Sequence, residues 1–162
     1  MLRLSKLTDY AVVVLVRLSG SAAVQTTPGI ATTTGIPEPT VAKVLKALAG
    51  RGLVASQRGA HGGYRLARVL ADISIAEVIA AIDGPIALTA CVDGANAGCD
   101  VLELCAVRGR WDPVNAAIRE ALTAISLEDM QAAALAPPFH ILSLARPAIR
   151  SPAGAVPVPV VE

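Results

Sequence analysis

Aromatic side chains are nearly missing: one Phe, one Trp and two Tyr in 162 residues. With 54% of the chain apolar, a core can still form, but Ala, Val, Leu and Ile must build it. Long apolar runs are missing too. Val12–Val16 is the strongest candidate and Arg17 ends it, far short of the roughly 20 residues a membrane helix needs. The start lacks the charged, apolar and small-residue layout of a signal peptide, so a cytoplasmic location is expected. Three cysteines are too few and odd in number for a disulfide framework. The two histidines, His61 and His140, fall in a predicted turn and a predicted loose tail. No phosphate loop follows a strand and no nucleophile has a base nearby, so an enzyme is not expected.

Charge is unevenly placed. Residues 1–70 carry nine Lys/Arg against Asp9 and Glu38, a net +7, and residues 71–162 carry five against eleven, a net −6. A basic half joined to an acidic one suits a polyanion-binding module on a sensing or pairing module, although chance segregation would give the same sums.

The pattern predicts a mainly α-helical chain with one β-hairpin. Residues 8–19 form the first helix, with Thr8 as cap and Asp9 at the positive end of the dipole. Residues 27–35 form a short second helix, with Thr27 as cap, Pro28 at its first position and Gly35 closing it. Pro37, Glu38 and Pro39 open a third, running to about Gly50, with Val41, Val44, Leu45 and Leu48 on one face. Two short helices across a tight Gly-containing turn are a helix-turn-helix. A strand at 52–56, a glycine-rich turn at 58–63 and a strand from Tyr64 make the wing of a winged helix. A helix at 73–82 follows, with Ser74 and Glu77 at capping-box spacing. Residues 110–125 read as a long helix with Trp111, Val114, Ile118, Ala121 or Leu122, and Ile125 in one stripe, either core or dimer seam. The expected domains are 1–83 for DNA binding, 84–109 as the cysteine loop, 110–135 as a dimerisation region and 136–162, with six prolines, as an unfolded tail.

The third helix should enter the major groove of double-stranded DNA. Thr40 and Lys43 would meet base edges, and Lys46 and Arg51 would reach phosphates. In the wing, Arg58 and His61 sit among glycines that permit close approach, as a narrow minor groove requires. Cys91, Cys99 and Cys105 are spaced C-x7-C-x5-C in a loop whose Gly94 and Gly98 let it wrap an iron–sulfur cluster. Zinc, which favours paired C-x2–4-C knuckles, a disulfide switch and three isolated thiols are the alternatives.

The segments LRLSKLTDYAV, TVAKVLKALAGRGLV, RGAHGGYRL and ISIAEVIAAIDGPIALTAC, with the cysteine loop and the Trp111 helix, resemble the winged-helix regulators that include IscR, the nitric-oxide sensor NsrR and the iron regulator RirA. The likeness covers about residues 1–130. The phrases MLRLSKLTDYA, RGAHGGYRLA and CAVRGRWDPVNAAI resemble most the regulators of SUF-system iron–sulfur cluster assembly. The resemblance implies a homodimer on inverted-repeat promoter sites, usually repressing, with three cysteine ligands per subunit. IscR-type proteins place a His three residues after the last Cys, where this chain has Arg108, which cannot coordinate a metal. In the NsrR branch an Asp in the first helix of the partner subunit completes the cluster, and Asp9 matches it. This turns the expectation from a 2Fe–2S towards a 4Fe–4S cluster, while helix-dipole stabilisation remains the other reading of Asp9. Gly29 departs from the better helix former usual in the family, and the proline-rich tail is not a family feature.

Overall fold

The computed structural model describes residues 3–59, 62–90, 92, 105–107 and 109–135. The first helix, α1 (Lys6–Ser19), starts two residues before the expected position because Ser5, not Thr8, is its cap. Ser5 Oγ accepts the Thr8 N–H at 3.1 Å, which frees the Thr8 side chain for another partner. The next helix, α2 (Thr27–Thr34), is likewise capped one residue early, by Thr26 Oγ1 accepting the Gly29 N–H at 3.2 Å. Thr32, Thr33 and Thr34 return their hydroxyls to the carbonyls of Pro28, Gly29 and Ile30, which satisfies the hydroxyls without strengthening the helix, and burial of Ile30 holds it in place. Gly35, at φ 70°, takes the left-handed turn that ends α2 and donates its N–H to Ala31 O.

The recognition-helix candidate, α3 (Glu38–Gly50), buries Val41, Val44, Leu45 and Leu48, as the spacing predicts. Strands β1 (Val54–Gln57) and β2 (Gly63–Leu66) pair antiparallel with Val54 opposite Leu66 and Gln57 opposite Gly63. The linker between α1 and α2 adds a third short edge: Gln25 and Tyr64 exchange both backbone hydrogen bonds, at 2.9 and 2.8 Å. Only glycine fits at position 63, because a Cβ there would lie 2.4 Å from Gln25 O.

A 3-10 turn (Leu70–Asp72) leads into α4 (Ile75–Ile82), whose capping box between Ser74 and Glu77 is formed. The long helix is shorter than expected: α5 spans Asp112–Thr123. Ile125 lies beyond it, where its carbonyl accepts the Ile75 N–H at 2.9 Å. This bridge turns the chain back, and α6 (Leu127–Leu135) returns to the head with Leu127 fully buried. The core is aliphatic throughout: Leu15, Leu18, Ile30, Leu45, Leu48, Leu53 and Ile73 are all buried beneath α1, α3 and α4. The fold is thus a winged helix followed by three further helices, α4, α5 and α6, among the described residues. Among the described residues no helix is long and apolar enough to cross a membrane.

Candidate functional site

Burial of one face of α3 leaves the other outward. Pro39, Ala42, Lys43 and Lys46 are exposed along it, with Arg51 exposed just after its C-terminus. Thr40, expected to be exposed, is half-buried, because its turn of α3 rests on the side facing the core. Ala42 was not anticipated by sequence reasoning. A small apolar residue beside Lys43 is suited to a thymine methyl group, and the exposed i, i+3, i+4 positions opposite the core face are the signal that finds it. Arg58 is exposed at the start of the wing turn, and His61 lies outside the described residues. Helix α3 packs against both α1 and α2, and these two are tied by Arg17 Nε donating to Thr33 Oγ1 at 3.0 Å.

Of the three cysteines, Cys105 is described: its thiol is free and half-buried in the segment before α5. Cys91, Cys99 and Arg108 lie outside the described residues, as does the tail from 136 onward. Val92, next to Cys91, is buried. Among the described residues no three His, Cys, Asp or Glu side chains converge on a metal-sized site. Thiolates suit both zinc and iron–sulfur clusters, so the spacing rather than the donor type favours a cluster, since zinc prefers paired C-x2–4-C knuckles.

Asp9 is exposed in the first turn of α1. It borders a cleft of about 500 Å³ also lined by Arg3, Lys6, Val12, Ile75 and Met130. The Lys6 ammonium lies 5.3 Å from the centre of the Tyr10 ring, and its hydrogen bonding and charge interaction with Tyr10, aided by Asp9, hold its pKa above the usual lysine value. Asp9 therefore faces solvent in a positively flanked cleft, available to a group outside its own chain.

The sequence turns into the cysteine loop at Asp83, which sequence reasoning had not singled out. Asp83 Oδ2 accepts from Thr8 Oγ1 at 2.7 Å. On α5, Asn115 holds the outgoing chain from the other side, donating to Ile86 O and accepting the Leu88 N–H, both at 3.1 Å.

Comparison with known proteins agrees with this architecture. A protein of Mycobacterium tuberculosis (strain ATCC 25618 / H37Rv) assigned to the HTH-type transcriptional regulators is 35% identical over 149 residues, 89% of each chain. IscR of Xenorhabdus nematophila, an HTH-type transcriptional regulator, is 34% identical over 96 residues, 59% of this chain and 57% of its own. Among solved structures, CymR, the global cysteine regulator of B. subtilis, superimposes with a TM-score of 0.61 at 27% identity, over 82% of this chain and 98% of its own. IscR of T. potens gives 0.59 at 29% identity, over 82% and 88%. These relatives are regulators rather than enzymes. Residues 4–133 match the Rrf2 family, described as iron-dependent transcriptional regulators, and the chain belongs to that family.

Proposed function

We propose that this chain is a homodimeric repressor of SUF iron–sulfur cluster assembly genes whose grip on an inverted-repeat promoter site depends on an iron–sulfur cluster. The observation that carries the reading is the C-x7-C-x5-C set of Cys91, Cys99 and Cys105 between a winged-helix head and α5, in a family described as iron-dependent. The cysteines would hold a 4Fe–4S or 2Fe–2S cluster, with Arg108 at the position of IscR's His ligand and exposed Asp9 of the partner subunit as the fourth donor. A bound cluster supplies a group sensitive to oxidants, nitric oxide and iron supply. Asp9 contributes a hard oxygen donor, weaker towards iron than thiolate and so the first bond to yield.

In this reading Lys43 and Thr40 address bases, and Lys46, Arg51, Arg58 and His61 address the backbone and minor groove. The partly exposed stripe of α5, with Trp111 and Val114 each more than 40% exposed, pairs two subunits, as a two-fold site requires. Residues 1–83 then serve as the DNA-binding domain, 84–109 as the sensing loop, 110–135 as the dimerisation region and 136–162 as an appendage. A response to nitric oxide or iron, rather than to cluster status, fits the same residues.

The free thiol of Cys105 and the likeness to CymR support a second reading, a cluster-free thiol switch. Anaerobic purification decides between them. The cluster reading expects a brown protein with charge-transfer absorption that each Cys→Ser change removes, and that Asp9→Ala makes shorter-lived. A colourless protein whose promoter binding responds reversibly to oxidants and thiols would establish the switch instead.

A further inference from the structure

Two polar side chains are buried among the described residues, Thr8 at 1% and Asn115 at 4% exposure. Both bond the same six-residue stretch, and Thr8 Oγ1 also shares a hydrogen bond of 3.2 Å with Ser5 Oγ. Thr8 Oγ1 donates to Asp83 Oδ2 at 2.7 Å, with the Ser5 N–H adding a longer bond of 3.4 Å to the same oxygen. Asn115 holds Ile86 and Leu88 through both halves of its amide. Burying a polar group is costly unless it is bonded, and a bonded one fixes a unique arrangement. An aliphatic core that otherwise excludes polar side chains has thus admitted two, and both fasten residues 83–88.

The strap forms one wall of an open groove of about 440 Å³ that Leu4, Ile79, Ile118 and Leu122 also line. Asp83 is the C-cap of α4, its N–H on Ile79 O at 2.8 Å, and Ile86 packs on the edge of the core, so the strap runs from the head towards α5 through these few points. Its two anchors lie on different bodies. Thr8 sits on α1, next to Asp9, and α1 packs against α3, the reading helix. Asn115 sits on α5. Beyond Leu88 the chain reaches Cys91 in three residues.

We infer that residues 83–88 are the mechanical link between the cysteine loop and the reading head, with Thr8, Asp83 and Asn115 as positioning residues. The inference rests on the cluster-sensing reading above. With a cluster on the cysteines, the strap is held and α1 is clamped through Thr8–Asp83. With the cluster lost, the clamp opens: Asp83 is itself exposed, so water replaces the Thr8 hydroxyl at modest cost. The first turn of α1, and α3 packed against it, then gain freedom. This is a two-state element that loop and head both bias, as coupling between sites requires.

The test compares the promoter affinity of cluster-loaded and cluster-free dimer at one salt concentration, in wild type, Thr8→Val, Thr8→Ser and Asp83→Ala. Thr8→Val removes the hydroxyl at nearly constant volume. Asp83→Ala breaks the same bond from an exposed position without entering the core. Both should reduce the loaded-to-free affinity ratio by roughly fivefold or more, within the usual range of coupling, and leave cluster-free affinity unchanged. Thr8→Ser should restore the ratio. Amide hydrogen exchange should show the first turn of α1 protected on cluster loading in wild type and not in Thr8→Val. A ratio unchanged in both variants, or loaded and free affinities falling in parallel, overturns the link and marks the bond as purely structural. A wild-type ratio of one, or a wild type that takes up no cluster, instead overturns the sensing reading, and the link with it.

Discussion

Helices α3 and α5 are of nearly equal length, 13 and 12 residues, yet α3 buries Val41, Val44, Leu45 and Leu48 while α5 buries Asn115 alone. Trp111 and Val114 remain more than 40% exposed. The helix-turn-helix part is held by apolar burial, which is insensitive to charge. The α5 side reaches the core through half-buried Leu122, holds residues 86 and 88 through Asn115, and leaves its remaining apolar surface exposed. A regulator benefits from this division, because a rigid head preserves the spacing of base contacts and a sparsely packed second region can respond.

The comparison is most exposed to failure at Leu45. Leu45→Ala should cost about 2–5 kcal/mol, since it opens a cavity in a core without neighbouring polar groups or flexible surface to fill it. Thermal unfolding of the protein with and without the change reads this directly. A loss below about 1 kcal/mol would mean that the head is as loosely packed as the α5 side, and the contrast would vanish.

Next in size is Asn115→Ala. It leaves Leu88 N–H and Ile86 O without their side-chain partner, at a cost of about 1–3 kcal/mol if neither finds water. Because the bonds hold the strap rather than the core, its effect should appear as faster hydrogen exchange over 86–88. Uniform destabilisation of the head with no local change would place Asn115 in the same class as Leu45.

The exposed face of α3 is a matter of binding rather than stability. Lys43→Ala should cost about 1–3 kcal/mol of specific affinity, and Lys46→Ala should weaken all DNA binding and lower the salt slope by about one. Neither should shift the melting temperature appreciably, as both side chains are exposed. Equal loss on specific and random DNA for Lys43→Ala would make it a phosphate contact.

Much of the head was legible in the sequence because its signals are local. Apolar residues at 3/4 spacing marked the buried face of α3, Ser74 and Glu77 marked the start of α4, and the glycines around Tyr64 marked the wing. What was missed depends on distance along the chain. Ser5 and Thr8 are equally good caps locally; only Asp83, 75 residues away, takes Thr8 out of that role. Gln25 forms a sheet edge as a single residue, and one residue has no period. Asn115 reads as a solvent-facing polar residue until the loop it bonds is in place. For α6 a signal was present: Ser126 and Asp129 have the spacing of a cap, and the Asp129 N–H does bond Ser126 Oγ at 3.1 Å. Expecting one continuous helix from 110 to 125 obscured the bridge between Ile75 and Ile125 that separates α5 from α6. For the cysteines the sequence offers spacing and resemblance alone, and Cys91 and Cys99 lie outside the described residues.

The smallest expected effect separates the two kinds of cohesion by pH. Burial pushes the Glu77 carboxyl up, but the Arg68 guanidinium at 2.6 Å and the Ser74 N–H and hydroxyl outweigh it, so its pKa lies below the ordinary value. Burial likewise pushes Asp83 up, and the bonds from Thr8 and Ser5 bring it below. Each group binds its proton less tightly folded than unfolded, so the unfolded chain takes up more protons on acidification. The stability they add is complete above the unfolded carboxylate range of about 4 and is lost as pH falls through the depressed values. Melting temperature should therefore be level from neutrality to about pH 5 and fall below it. For the Arg68–Glu77 pair, roughly 40% exposed on each side, solvent screening limits the contribution to about 0.2–1 kcal/mol. Against wild type, Glu77→Gln and Asp83→Asn should show a deficit at neutral pH that closes in acid, whereas the deficit of Leu45→Ala should not depend on pH. A Glu77→Gln deficit that persists unchanged to low pH would show that the cap is held by its neutral hydrogen bonds alone. A Leu45→Ala deficit that closes would mean that the head, too, depends on its charges.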